Sequence, residues 1–535
     1  MNPSSRAVVV TLAVVVFALC SLAPVAYLLA VALADLDPAG LWLDARQRQL
    51  LWNTGLLGVG TATLATVIGA PLGVALAHVT LPLRSFLRLA LAMPLLLPPY
   101  VVALVWTYLC GGRGVIASLA GRDVLSGWTY SLPAAILVLS LVYYPLSMLV
   151  TEVALRRIDG RLEEAAVVSA PPLLVLRRIT LPLAAPGVLA AALVIFVLSV
   201  SEFGVPGLLR VRVYTTEVFT AFAALYDSSR AMLLAVPLLL VCLIVAFVAV
   251  ALAGERLVST RRGHGTRPVL LEGWRVPAAV AAILAVGLSL GVPLTVLVRE
   301  ALSVGSLSAV VEGSGRAISN SLVLAAIGAT AVVAVALWLG YARARSSGCL
   351  GRLADVLFVV AFAVPSTIVG VGLIGIWNRP GLVGTVYGTD VMLILGYLAR
   401  FVPVAALAIA AVTRYVPVSQ EEAAAVGGAG WLRTMTRIVV PQIRLGLLTA
   451  WIIAFVLAFG ELGVSILVAP PGEATLPIRI YTIIANTPPS HVAVLALLQT
   501  AVVLSPLAVL ALALPLRASA GARRVSTAAG AREAR

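Results

Sequence analysis

The sequence predicts an all-α protein that crosses a membrane about twelve times, as two parallel repeats of six helices. Three observations lead to this fold class: an apolar composition, twelve long apolar stretches and an internal repeat. Of the 535 residues, 61% are hydrophobic and only 11% are charged, which leaves too few polar side chains to cover a water-soluble surface. The chain is therefore expected to fold within a lipid bilayer.

Twelve apolar stretches approach the roughly 20 residues that a helix needs to cross a hydrocarbon core. They are 7–34, 51–77, 86–110, 131–151, 183–201, 231–253, 275–298, 318–341, 354–376, 390–412, 444–460 and 491–516. The first stretch is too long for the core of a signal peptide, so we expect it to be retained. A unit of six spans begins and ends on one side, so the two units run parallel. The predicted organisation is a first unit at 1–254, a linker at 255–274, a second unit at 275–516 and an arginine-rich tail at 517–535.

The two units repeat the same spacing of prolines and glutamates. The counterparts are Pro145 and Pro403, Glu164 and Glu422, Pro182 and Pro441, and Glu202 and Glu461. In both units 19 residues separate the first proline from the first glutamate of these pairs, and 20 separate the second proline from the last glutamate. Asn53 precedes Pro98 by the same 45 residues that separate Asn320 from Pro365. Such matching indicates a duplicated membrane unit.

Prolines and glycines interrupt the third span of each unit. They are Pro94, Pro98 and Pro99 in the first unit and Pro365, Gly370 and Gly372 in the second. Broken helices that line a pathway would explain them, and so would close packing between helices.

Charge placement orients the predicted bundle. All 37 basic residues are arginines, and with the N-terminus in the cytoplasm 25 of them fall in cytoplasmic segments and 11 in outer segments. This bias follows the positive-inside rule and predicts that both termini are cytoplasmic. The net charge of +15 then reflects topology and contact with membrane lipid, and we expect no nucleic-acid partner.

No pattern for catalysis or metal binding is present. The three histidines, His78, His264 and His491, are far apart, the four cysteines stand singly, and the chain has no lysine for a phosphate-binding loop. We therefore expect no enzyme activity, no metal site and no cofactor, and transport driven by ATP would need a separate ATPase chain.

Two acidic segments follow the fourth and tenth spans. They are Glu163, Glu164, Ala165 and Ala166 in the first unit and Glu421, Glu422, Ala423 and Ala424 in the second. Ser419 stands three residues before Glu422, which predicts a capping box, and Gly428 predicts a left-handed helix stop. Beyond them, an amphipathic arm is expected to lie at the membrane surface until Pro441 begins the next span.

The second segment resembles the EAA loop of permeases of binding-protein-dependent ABC importers, of the type I fold. The resemblance is carried by Glu422, Ala423, Ala424, Gly428 and Pro441. The first segment keeps Glu164, Ala165, Ala166 and Pro182, but Ala170 and two prolines stand where the glycine belongs. A single such segment would more simply be a solvated loop helix, whereas two copies at matched distances favour the resemblance.

The resemblance implies that each loop is a coupling helix docked on one subunit of a cytosolic ATPase pair. It also implies a periplasmic or lipid-anchored solute-binding protein and a multi-pass location in a bacterial inner membrane. Two units fused in one chain resemble ferric-iron permeases, with thiamine and aminoalkylphosphonate permeases as cousins. Ferric iron is the first substrate expected, and thiamine, phosphonates, polyamines and oxyanions remain alternatives.

Three charged residues near or within spans are candidates for a translocation pathway. Glu202 and Glu461 occupy equivalent positions and would face each other across the centre, where they could attract a cation. Alternatively, both mark the hydrated outer ends of their spans. Arg400 lies within a span, where one of these glutamates or backbone carbonyls near Pro403 would be its partner.

Two other classes of protein fit part of the pattern. An ion-coupled secondary transporter would use Glu202, Arg400 and Glu461 as relay groups, but leaves the duplicated loop unexplained. A membrane scaffold without transport fits the hydropathy but not the symmetrical carboxylates.

Overall fold

The structure is a computed structural model that describes residues 3–34, 44–112, 114–123, 125–225, 227–253 and 272–506. This part of the chain is a bundle of helices without strands, as the sequence predicts. Most of the linker expected at 255–274, and all of the tail expected at 517–535, lie outside the described residues.

Eleven helices of the described part are long and apolar enough to cross a membrane, and one bent pair adds a twelfth span. In chain order they are α1 Ser5–Val31, α2 Ala45–His78, α3 Pro99–Ala120, α4 Leu132–Arg156, α5 Pro172–Ser201, α6 Arg230–Leu252, α7 Arg275–Leu302, α8 Gly315–Ala344, α9 Gly348–Ala363 with Ser366–Trp377, α10 Val391–Thr413, α11 Trp431–Gly460 and α12 Pro489–Pro506. Each corresponds to one of the twelve apolar stretches.

The third span of each unit is broken at a proline. In α9 the two pieces meet at 94° around Pro365. In the first unit, the stretch expected at 86–110 divides into the helix Arg84–Ala92, the 3-10 turn Met93–Leu96 and the start of α3 at Pro99. Proline lacks an N–H and restricts the residue before it, so a helix is readily interrupted there. Of the two explanations left open by the sequence, broken helices hold at the prolines, whereas close packing holds at Gly372, where an added Cβ atom would lie 2.6 Å from the carbonyl oxygen of Pro24.

Helix α11 runs without interruption through the arm that we expected to lie at the membrane surface, and α5 is continuous through the corresponding segment of the first unit. A π-helical turn, Leu176–Thr180 in α5 and Met435–Val439 in α11, comes just before Pro182 and Pro441. The wider turn relieves the clash between the proline ring and the turn before it, so the helix continues through the proline. The expected boundary at Pro441 is therefore wrong.

The two units interlock through their first helices. Ser21 of α1 donates a hydrogen bond of 3.1 Å to the carbonyl oxygen of Ala399 in α10. Ser289 of α7 lies 3.3 Å from the hydroxyl of Tyr144 in α4. Both serines belong to π-helical turns, and both contacts join the first helix of one unit to the fourth helix of the other. The two repeats of the sequence are therefore not two separate bodies in space.

Helices α2 and α4 approach so closely that the position of Gly73 in α2 has no room for a side chain. A Cβ atom added at Gly73 of α2 would lie 2.5 Å from the carbonyl oxygen of Met148 in α4. A Cβ atom added at Gly55, on the same helix, would meet nothing within 4 Å.

We expect Gly73→Val to push α2 and α4 apart and to lower the midpoint of thermal unfolding in detergent by several degrees, because overpacking costs about 1–3 kcal/mol. Gly55→Val adds the same volume at an open position and should melt close to the unsubstituted chain. Size-exclusion chromatography after heating measures both midpoints, and equal midpoints for the two variants would contradict the close packing.

Candidate functional site

Two short helices join the fourth and fifth spans of each unit at one end of the bundle. The first loop helix is Gly160–Val167 and the second loop helix is Val418–Val426. The first contacts His78 at the end of α2. The second contacts Tyr341, whose ring lies 5.6 Å from the guanidinium of Arg6 at the start of α1. Because α2 returns to the end where α1 begins, both loop helices lie at that end, which we call the inner end.

The two loop helices begin differently. Asp159 caps the first by accepting a hydrogen bond of 3.1 Å from the backbone N–H of Arg161. The second begins directly after Pro417, which is extended and makes no side-chain cap, and Ser419 lies inside the helix. The capping box predicted for Ser419 and Glu422 is therefore wrong, because Pro417, two residues before Ser419, directly precedes the helix.

The second loop helix ends as the sequence predicts. Gly428 has a φ of +79°, in the left-handed region that glycine adopts readily. The N–H of Gly428 donates 3.0 Å to the carbonyl of Ala425, and the N–H of Ala429 donates 2.9 Å to the carbonyl of Ala424. These two bonds form a Schellman motif, which satisfies carbonyls left open at a helix end.

The first loop helix ends without this motif. The N–H of Ala170 donates 3.0 Å to the carbonyl of Ala166, and Pro171, in extended conformation, follows directly. None of residues 160–172 has a positive φ. The first loop helix is thus stopped by prolines and the second by a glycine.

We expect Gly428→Ala to loosen the end of the second loop helix, because an alanine in the left-handed region costs about 1–2 kcal/mol. The amides of Gly428 and Ala429 should then exchange hydrogen faster, as measured by mass spectrometry of peptides that cover 418–430. Gly427→Ala is the matched control, since Gly427 has a φ of −73° that any residue adopts. A Gly428→Ala chain that exchanges no faster than the control would disprove the motif's role.

Glu421 seats the second loop helix on the end of α8. Its Oε2 accepts a hydrogen bond of 2.7 Å from the hydroxyl of Tyr341, and its Oε1 accepts one of 2.9 Å from Nε of Arg345 and a second from Nη2 of the same residue. Arg345 also donates 3.0 Å to the carbonyl oxygen of Val416, just before the helix. This side chain therefore ties together α8, the loop and the helix.

Glu163 seats the first loop helix with fewer bonds. It is 2% exposed, and its Oε1 accepts a hydrogen bond of 2.8 Å from Thr180 of α5. Nε2 of His78 lies 3.7 Å from the same oxygen, which is too far for a hydrogen bond. The other oxygen of Glu163 and both ring nitrogens of His78 have no hydrogen-bond partner among the described residues.

The remaining acidic and small residues of the two loops face outward. Exposed are Glu164, Ala165, Glu422 and Ala423, and partly exposed are Ala166, Ala170 and Ala424; Pro182 and Pro441 are also exposed. Next to them, Val168 is 87% and Val426 is 91% exposed. Each repeat therefore exposes one apolar side chain at the same position of its loop.

Sequence reasoning missed Tyr341, Arg345 and Thr180. One signal could have found Arg345: it follows Asn320 by the 25 residues that separate His78 from Asn53. The repeat therefore marks His78 and Arg345 as counterparts.

A buried cluster of charges holds the inner end of the first unit and was also missed. Glu152 of α4 is fully buried, with guanidinium nitrogens of Arg156 at 2.7 Å, Arg88 at 2.9 Å and Arg84 at 4.0 Å from its oxygens. Partial burial and then the charge of Arg156 lower the pKa of Arg84, but a guanidinium stays protonated at any physiological pH. The cluster therefore fastens the helix Arg84–Ala92 to α4.

Glu202 and Glu461 each follow the last residue of a span and bond the backbone beyond it. Oε1 of Glu202 accepts a hydrogen bond of 3.0 Å from the N–H of Gly204, and Oε1 of Glu461 accepts one of 3.0 Å from the N–H of Val464. Both residues are partly exposed. Each carboxylate therefore stabilises the point at which its helix stops.

The structure brings the three predicted pathway residues together. Glu202 lies close enough to Glu461 and Arg400 for their charges to interact. The buried Tyr143 of α4 is similarly close to all three charged residues. They occupy the region between the units, since Gly204 of the first unit adjoins Leu462 of the second. In the described part of the chain, no three His, Cys, Asp or Glu side chains are grouped to hold a metal ion.

Arg400 is bonded to the break in α9. Its Nη1 donates 2.7 Å to the carbonyl oxygen of Val364, and its guanidinium lies 5.9 Å from the ring of Phe362. Its Nε has no partner among the described residues. A carbonyl is indeed the partner, but it is one released by the break before Pro365, not one near Pro403.

The outer ends of α2 and α8 hold the segments that follow α5 and α11 in the same way. The hydroxyl of Thr54 accepts a hydrogen bond of 3.0 Å from the N–H of Tyr214, and that of Ser321 accepts one of 2.5 Å from the N–H of Leu476. The asparagine before each hydroxyl residue bonds the same segment. These contacts explain the matched Asn-Thr and Asn-Ser pairs of the sequence.

Comparison with known proteins finds relatives over most of the chain. The family of binding-protein-dependent transport system inner membrane components matches residues 69–258 and 332–515, one match in each unit. The Fe(3+)-transport system permease protein FbpB 2 of Haemophilus influenzae is 24% identical over 446 residues, which cover 82% of this chain and 84% of the relative.

Two further relatives differ in how much they cover. The probable ABC transporter permease protein y4fN of Sinorhizobium fredii is 26% identical over 503 residues, 88% of this chain and 87% of the relative. The molybdenum transport system permease protein ModB of Escherichia coli is 31% identical over 158 residues, 29% of this chain and 69% of the relative.

Proposed function

The chain belongs to the family of binding-protein-dependent transport system inner membrane components, and we propose that the solute it carries into the cell is ferric iron. It is a multi-pass permease and not an enzyme, and its partners are an ATPase and a solute-binding protein. The observation that carries this function is the double family match, at 69–258 and 332–515, which provides both halves of a permease in one polypeptide.

The two loop helices are the proposed docking sites for a pair of ATPase subunits. The exposed Glu164 and Glu422, with the neighbouring Val168 and Val426, offer each subunit a similar surface of one carboxylate and one apolar side chain. The inner end would then be cytoplasmic, in agreement with the distribution of the arginines. A periplasmic or lipid-anchored binding protein would deliver the solute at the outer end.

Closure of the ATPase pair would move the loop helices and, through them, the two units. The second loop helix is bonded through Glu421 to α8, so a displacement there is passed to the bundle. At the centre, Glu202 and Glu461 would then be exposed alternately to the two sides of the membrane. Coupling of this kind needs no catalytic group on the permease itself.

Ferric iron is favoured by the relative from Haemophilus influenzae, whose name assigns it Fe(3+) transport, and by the chemistry at the centre. Ferric iron is a hard cation that favours oxygen ligands such as carboxylates. Two carboxylates with no third His, Cys, Asp or Glu grouped with them in the described part of the chain suit passage of the ion better than its retention.

An oxyanion is the second candidate solute, and Arg400 is the observation that favours it. The relative from Escherichia coli is named a molybdenum transport permease. The guanidinium of Arg400 has one nitrogen without a partner among the described residues and could pair with an anion.

We expect the double variant Glu202→Gln, Glu461→Gln to take up labelled ferric iron at least about tenfold more slowly, because a neutral amide attracts a cation far less than a carboxylate does. Cells that produce the full chain with its ATPase and binding protein are the test system. Glu312→Gln, an exposed carboxylate of the outer segment, is the control. Uptake of labelled molybdate in place of iron would reject ferric iron and support the oxyanion.

Val168→Asp together with Val426→Asp should weaken ATPase binding by about tenfold or more, since burial of one valine contributes about 1.5–3 kcal/mol. Both side chains are exposed, so the fold should be unaffected, and co-purification of the ATPase with the tagged permease measures the effect. Leu307→Asp introduces the same charge at a 59% exposed residue of an outer segment, away from both the loop helices and the spans. Undiminished co-purification by the double variant would refute the docking surface.

A further inference from the structure

The two loop helices are seated by the same glutamate of the repeat but by different partners. Glu421 accepts three hydrogen bonds, one from Tyr341 and two from the guanidinium of Arg345. Glu163 accepts one, from Thr180. Since hydrogen bonds between charged groups are the strong ones, the seat of the second loop helix is the firmer.

The difference traces to one pair of counterparts. His78 and Arg345 follow Asn53 and Asn320 by the same interval, and both adjoin the seating glutamate of their own unit. Where the second unit has a guanidinium bonded to the carboxylate, the first has an imidazole 3.7 Å away that makes no hydrogen bond. Both His78 and Glu163 are almost fully buried, at 1% and 2% exposure, so neither side chain is open to bulk water.

We propose that His78 and Arg345 are positioning residues that set how firmly each loop helix is attached to the bundle, with Arg345 making the second attachment rigid and His78 leaving the first compliant. This inference rests on the proposed role of the loop helices as ATPase docking sites. It adds that one permease chain receives the force of the ATPase pair through two unequal attachments.

The consequence for transport is a division of labour between the loops. A displacement of the second loop helix is passed through Arg345 to α8 and to the loop before it, because the guanidinium bonds both Glu421 and the carbonyl of Val416. A displacement of the first loop helix is partly absorbed by rotation about the hydrogen bond between Thr180 and Glu163. Most of the force from the ATPase pair therefore reaches the helix bundle through the second loop helix.

Hydrogen exchange of the purified full chain in nanodiscs tests the attachment without any partner. We expect amides at 160–170 to exchange about tenfold faster than those at 418–430, since the attachments differ by charge-assisted hydrogen bonds. Arg345→His should raise the exchange rate at 418–430 to that of the first loop. Arg345→Lys keeps the positive charge but loses the planar guanidinium that donates two hydrogen bonds at once, so it should give an intermediate rate. His78→Arg should slow exchange at 160–170.

Arg433→His is the matched control, because Arg433 is exposed on α11 near the second loop helix and its replacement should leave both loops unchanged. If Arg345→His does not yield folded protein, Tyr341→Phe removes a single hydrogen bond to Glu421 and should give a smaller rise at 418–430. Unchanged exchange at 418–430 in Arg345→His, or in Tyr341→Phe if that variant has to be used, would overturn the proposal.

A functional readout separates positioning from simple loss of structure. With the ATPase present, Arg345→His should import several-fold less solute for each ATP hydrolysed while the ATPase still co-purifies, whereas general damage would lower uptake and hydrolysis in proportion. An equal ratio in the variant and the unsubstituted chain would count against positioning. If the unsubstituted chain binds no ATPase, the proposed function fails, and the exchange measurements still decide the attachment.

Discussion

Inside a bilayer, every backbone N–H and C=O group has to find its partner within the protein, since lipid offers none. The breaks in the third spans, and the ends of α5 and α11, therefore leave backbone N–H and C=O groups without partners inside their own helices. Arg400 bonds the carbonyl of Val364 at one break, and Glu202 and Glu461 bond N–H groups just beyond the ends of α5 and α11. The charges at the centre thus have a structural reason to be there, whether or not they also line the pathway that we propose for the solute.

Interlocking of the units limits the motions that remain available to them. Ser21 bonds α1 to α10, and Ser289 of α7 adjoins Tyr144 of α4. The first helix of each unit is therefore packed against the other unit. If one unit rotates against the other, these contacts either have to be kept or have to be broken and re-formed at a shifted position. Both serines lie in π-helical turns, which are rare and often occur at functional positions, and the duplication has retained both.

The sequence was a good guide to features that repeat or depend on local chemistry, and a poor one to contacts between distant segments. The spans, the breaks at Pro98 and Pro365 and the stop at Gly428 follow from hydropathy and from the geometry of proline and glycine. The capping box failed because a local pattern at Ser419 competed with Pro417, which starts the helix. The seat of Glu421 on Arg345 joins residues that are 76 apart, and only the repeat interval hints at it.

The repeat has preserved the positions of its attachments more strictly than their chemistry. Arg88 and Asp355 follow the asparagines of their units by the same 35 residues, yet one is basic and the other acidic. Each nevertheless pairs with a buried charge, Arg88 with Glu152 and Asp355 with Arg343, and a buried charge left without a partner is strongly destabilising. Two identical chains would have to build both halves alike. Fusion of the halves into one chain removes that restriction, so a charge can change sign, or an arginine and a histidine can occupy equivalent seats, provided that each half compensates its own buried groups.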